Sequence, residues 1–141
     1  MKNGFARCLS AIERKTTLSE DRIRMIVVDD SALFRHLIRD VLKEIPGTSV
    51  IGNAEDGRRA VELIRERRPD LMTLDVEMPD LNGIEVLREL RRTGDSIPAI
   101  MVSRLTESGA QITTDALLEG AFDFVLKPSG SDPVANKLEQ K

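Results

Sequence analysis

The chain has 141 residues, with 21 basic and 24 acidic side chains and a formal net charge of −3. That length suits one domain with one core, and 40% hydrophobic with 32% charged residues excludes a disordered polyelectrolyte. The near balance of charge excludes a global field that would draw in nucleic acid.

Without Trp or Tyr and with four Phe, the core must be aliphatic. The single Cys8 excludes an internal disulfide and a cysteine zinc cluster, and the lone His36 lacks partners for a histidine metal site. Arg58, Arg59, Arg65, Arg67 and Arg68 read as a solvated helix face rather than a nucleic-acid patch. No apolar run approaches the roughly 20 residues that span a membrane. The amino terminus has no apolar signal region either. A cytoplasmic protein without membrane insertion is expected.

Residues 1–22 read as an N-terminal extension and residues 23–141 as one domain. In the extension, Phe5, Leu9 and Ile12 have helical spacing. The alternatives are a short helix, disorder, or a misassigned translation start. Ile23–Val28 is an apolar, β-branched run of the kind found in a buried parallel strand, and it ends at Asp29-Asp30. From Ser31 the period changes. Leu33, Phe34, Leu37, Ile38, Val41 and Leu42 fall on one helical stripe, stopped by Pro46-Gly47.

The alternation then repeats. The pattern predicts a strand over Val50–Ala54 and a helix over Gly57–Arg67 with Val61 and Ile64 inward. A third strand over Leu71–Leu74 ends at Asp75, and a helix over Ile84–Arg92 follows with Leu87 and Leu90 inward. A strand over Ile97–Val102 ends at Ser103, a helix over Gly109–Glu119 stops at Gly120, and a fifth strand over Ala121–Leu126 ends at Lys127-Pro128. Asp132-Pro133 then caps a last, short helix.

Five strands alternating with helices imply right-handed crossovers and an α/β fold with a parallel sheet covered on both faces. The expected arrangement is flavodoxin-like, a (βα)5 three-layer sandwich with strand order 2-1-3-4-5, whose site lies beyond the carboxyl ends of the strands.

The polar residues delivered to that edge are Asp29, Asp30, Asp75, Ser103 and Lys127. Each follows an apolar run. Asp30 and Ser31 can also cap the first helix, and Ser103 alone means little, but capping explains only one strand end. Clustered carboxylates repel unless a cation joins them. Oxygen ligands with open positions suit Mg²⁺, which bridges readily to phosphate. A carboxylate between Mg²⁺ and a lysine is placed to attack phosphorus, with the new charge met by metal, ammonium and hydroxyl.

The segments VVDDSALFR (27–35), TLDVEMPDLNGIEVL (73–87), MVSRLT (101–106) and DFVLKPSG (123–130) together resemble the response-regulator receiver family of two-component signalling. The resemblance implies that Asp75 is the phosphoacceptor. It implies that Asp29 and Asp30 bind Mg²⁺, with Asp30 the more direct ligand, and that Glu77 lends the metal a backbone carbonyl. Ser103 and Phe124 then match the switch pair. Lys127 matches the phosphate-contacting lysine, in a cis bond to Pro128. The implied donor is a histidine kinase.

The run from Val102 to Gly130 further resembles the receiver of chemotaxis protein-glutamate methylesterase (CheB). That implies a CheA-like kinase and a methylesterase output domain. No nucleophile-elbow motif is present, so this chain is expected to be a regulatory phosphoacceptor and not itself a methylesterase. The short last helix favours a fragment over a stand-alone, CheY-like phosphoryl carrier. A haloacid-dehalogenase phosphatase fits poorly, because its nucleophile follows the first strand in a D-x-D pattern. A phosphorylation-independent binding module would be expected to lack one of the acidic residues, the acceptor or the lysine.

Overall fold

The computed structural model describes residues 22–104, 115 and 119–127. Five strands, β1 (Ile23–Val28), β2 (Thr48–Ala54), β3 (Leu71–Asp75), β4 (Ala99–Ser103) and β5 (Asp123–Leu126), form one parallel sheet in the order β2-β1-β3-β4-β5. The helices α1 (Ala32–Lys43), α2 (Gly57–Arg67) and α3 (Gly83–Thr93) lie between them in sequence. This is the flavodoxin-like fold and strand order that the alternation predicts. The N-terminal extension, the last helix and most of the helix expected over 109–119 lie outside the described residues. Among the described residues no helix is long and apolar enough to cross a membrane.

Side chains on the two sheet faces build two clusters. One joins Met25, Val27, Leu71, Ile100 and Val102 to Ile38, Val41 and Leu42 of α1. The other joins Ile26, Val28, Met72, Leu74 and Met101 to Ala60, Val61, Leu63 and Ile64 of α2 and Ile84, Val86, Leu87 and Leu90 of α3. The period of two along each strand therefore sorts residues between an α1 face and an α2–α3 face.

Local chemistry fixes the ends. Ser31 caps α1 by accepting from the Phe34 N–H, and Asp56 caps α2 by accepting from the Arg59 N–H. Asn82 and Glu85 form a reciprocal capping box on α3, which Gly94 ends in the left-handed conformation at φ 76°.

Three strands start elsewhere than expected, and β3 and β4 each run one residue further, through Asp75 and Ser103. β2 begins two residues early because the Thr48 hydroxyl donates to the Leu42 and Ile45 carbonyls, which lets a polar residue be buried there. β4 begins after Pro98, whose missing N–H cannot join the ladder although its carbonyl accepts from Met72. β5 is shorter than expected, starting at Asp123. The α1 stripe is also narrower than expected, because Leu33 is 55% exposed.

Candidate functional site

Register brings the strand ends level. Val28 pairs with Leu74 and Asp75 with Val102, while Ser103 pairs with Leu126. Asp29, Asp75 and Lys127 thus follow directly on one edge of the sheet. Alternation continues the α1 face through Val27 to Asp29, through Leu71 and Thr73 to Asp75, and through Val125 to Lys127.

Asp29 and Asp75 are 0% and 2% exposed, and the Lys127 side chain is 3% exposed. The Lys127 ammonium lies 2.8 Å from Asp29 Oδ2 and 3.3 Å from Asp75 Oδ2. Asp29 Oδ2 makes this ion pair but no hydrogen bond. Its other oxygen accepts from the Ser31 N–H at 2.9 Å, and the Arg35 guanidinium donates to the Asp29 carbonyl at 2.7 Å. Asp75 Oδ1 accepts from the Glu77 N–H at 3.2 Å.

Asp29, Asp30 and Asp75 each offer a carboxylate oxygen, and these lie within 4.8 Å of one another. Burial first, and then the Asp29 charge, push the Asp75 carboxyl up to about 7 against the pull of Lys127 and the Glu77 N–H. One ammonium therefore does not neutralise the cluster. An all-oxygen donor set, an Asp29 oxygen without a hydrogen bond and a proton-hungry third carboxylate fit a small divalent cation. Beside them lies an open cavity of about 140 Å³ lined by Asp30, Asp75, Glu77, Arg104 and Lys127. It leaves room for water and a tetrahedral anion.

Ser103 is buried at the end of β4, and its hydroxyl donates to the Arg104 carbonyl at 3.3 Å. It makes no described contact with Asp75. Phe124 is partly buried against the α2–α3 cluster. Pro128 lies outside the described residues, and with it the Lys127–Pro128 bond. Two residues at the site were not read as site residues from the sequence. Arg104 lines the cavity. The Phe34 ring lies 4.3 Å from the Lys127 ammonium. Its helical stripe signalled burial, but nothing in that stripe tells which strand-end residue it meets.

A response regulator receiver domain model matches residues 25–139. The chain is 50% identical over 115 residues to a protein-glutamate methylesterase/protein-glutamine glutaminase of Desulfotalea psychrophila, covering 82% of this chain and 32% of that protein. The chain therefore spans about a third of the length of the curated relatives it matches. It is similar to the crystal structure of the response regulator domain of Thermotoga maritima CheB, at 44% identity and a TM-score of 0.71, covering 84% of this chain and 95% of that one. It is also similar to a chain of the CheX–CheY–BeF3–Mg²⁺ complex of Borrelia burgdorferi, at 27% identity and a TM-score of 0.70, covering 85% and 89%. The parallel sheet in the order 2-1-3-4-5, the acidic cluster beside a lysine at its carboxyl edge, and these matches agree: the chain belongs to the response regulator receiver family, as a receiver of the CheB type.

Proposed function

We propose that this receiver takes a phosphoryl group on Asp75 from a phosphohistidine of a histidine kinase, with Mg²⁺ held by Asp29, Asp30, Asp75 and the Glu77 backbone carbonyl. The observation that carries this reading is the cluster of three carboxylates and Lys127 at the mouth of a cavity. Mg²⁺, when bound, neutralises the carboxylates and the phosphoryl oxygens.

An Asp75 carboxylate oxygen forms the new bond to phosphorus as the bond from phosphorus to the histidine nitrogen breaks. The imidazole leaves with that electron pair. Lys127 holds the Asp75 carboxylate in line and meets charge on the phosphoryl group. Its buried ion pair with Asp29 keeps the ammonium from swinging into water.

The Ser103 hydroxyl is turned to the carbonyl of Arg104, a residue that lines the cavity. Its closure on the phosphoryl group would free space into which Phe124 moves. This coupled shift biases a two-state β4–β5 surface toward or away from an output domain. The CheB-type relatives, named as methylesterases, support a methylesterase output; a CheA-like donor and a cytoplasmic setting are proposed beside it.

The test is incubation of the chain with Mg²⁺ and acetyl phosphate or beryllofluoride, followed by mass spectrometry or NMR. A Mg²⁺-dependent adduct absent from Asp75→Asn is expected. A folded protein showing no adduct and no spectral change would replace this reading with a phosphorylation-independent binding module.

A further inference from the structure

The Lys127 ammonium has three described contacts: Asp29 Oδ2 at 2.8 Å, Asp75 Oδ2 at 3.3 Å, and the Phe34 ring with its centroid at 4.3 Å. We propose that Phe34 is a positioning residue for Lys127, its ring face holding the ammonium at the acceptor through a cation–π contact. The proposal rests on the reading of Asp75 as phosphoacceptor.

The geometry lies well inside the range of about 6 Å over which a ring face attracts a cation. The attraction is stronger where water is excluded, and here the lysine side chain is 3% exposed. An ammonium has three N–H donors. Two carboxylate oxygens and one π face are its described partners. A lysine stem is flexible, so without the third contact the ammonium gains freedom to hydrate or to turn.

The ring is tied to the acidic loop itself. Asp29 Oδ1 accepts from the Ser31 N–H, and Ser31 Oγ accepts from the Phe34 N–H at 3.3 Å. The carboxylate that pairs with Lys127 therefore also sets, through the α1 cap, the ring that covers it. An aliphatic side chain of similar size would exclude water equally well but has no negative face. That difference separates a positioning role from packing. Phosphoryl transfer places new charge beside Lys127, and an ammonium already held there needs no reorganisation.

The test uses the full chain, Mg²⁺ and acetyl phosphate. Phe34→Leu should slow phosphoryl uptake roughly 3- to 30-fold, the range from exposed to desolvated cation–π contacts, and Phe34→Tyr should restore most of it. Replacing Phe34 by mono-, di- and pentafluorophenylalanine keeps the shape while draining the ring face of negative charge. Uptake should fall stepwise along that series even if Phe34→Leu folds poorly. In NMR, the Lys127 Cε protons should show an upfield ring-current shift that is lost in Phe34→Leu. A flat fluorination series in an otherwise active protein overturns the proposal alone. A wild-type chain that takes up no phosphoryl group overturns the reading of Asp75 and the role of Phe34 in transfer with it.

Discussion

Gly83 starts α3 directly against the main chain of Asp75, so closely that a methyl group on Gly83 would run into the Asp75 carbonyl oxygen and press on Val76 Cα at 3.0 Å. The Gly83 N–H donates to the Val76 carbonyl at 3.0 Å and locks this approach. Glycine here is a steric requirement of the Asp75 backbone. Gly83→Ala must displace backbone on one side or the other. It should destabilise the fold by about 1–3 kcal/mol, as overpacking does, and it should slow phosphoryl uptake because Asp75 moves. Urea unfolding and acetyl phosphate kinetics on the same variant check both. Unchanged stability would mean that the helix shifts without strain.

Asp75 should weaken the metal-free fold as pH rises. Its carboxyl is pushed up to about 7 from an ordinary value of 3.8, mainly by burial and by Asp29. Between those values the folded state binds more protons than the unfolded state, so stability falls as pH increases through that window. Asp75→Asn removes the effect. In EDTA it should exceed wild type by about 1–3 kcal/mol at pH 8, allowing for water in the open cleft, and match it at pH 3. A difference that does not change with pH would argue against this origin.

Most of the site was legible because parallel strands deliver their ends to one edge. Apolar runs ending at Asp29, Asp75, Ser103 and Lys127 suffice to place them there, whatever the details of packing. What was not legible depends on how a helix is rotated against the sheet. Leu33 shares the helical spacing of Ile38 and Val41 yet is largely exposed, while Phe34, one residue on, reaches Lys127. Only the Ser31 cap and the α1 packing angle decide between them. The polar Thr48 likewise hid the start of β2, since its burial depends on the Leu42 carbonyl in α1 and the Ile45 carbonyl just after it, which come into reach only in the folded chain.

Asp30 and Asp29 should differ in how they support the cation. Asp30 is exposed and lines the cavity, whereas Asp29 is buried against Lys127. Asp30→Ala removes one proposed ligand and should weaken Mg²⁺ binding at least about tenfold with little loss of stability. Asp29→Ala should weaken binding and destabilise the fold as well, because it leaves the buried ammonium with one carboxylate fewer. Isothermal titration with Mg²⁺ alongside thermal melts separates the two. Unchanged Mg²⁺ affinity in Asp30→Ala would remove it from the ligand set.

Asp95 ties the far end of the molecule together, away from the acidic cluster. Its carboxylate meets Arg65 at 3.1 Å and Arg68 at 2.8 Å at the end of α2, and accepts from the Thr93 hydroxyl at 2.7 Å at the end of α3. The Thr93 hydrogen bond, followed by those from Arg68 and Arg65, holds its carboxyl down at about 2. A depressed carboxyl stabilises the fold above its ordinary value of 3.8, and this contribution is lost as pH falls toward 2. Asp95→Asn keeps the shape and removes the charge. It should lower the melting temperature at pH 7, less so in high salt, and the gap from wild type should close as the pH approaches 2. Mg²⁺ affinity and phosphoryl uptake should stay at wild-type levels, because Asp95 precedes β4 at the opposite edge of the sheet from Asp75. A variant that melts like wild type at pH 7 would show the cluster to be a solvated arrangement without energetic weight.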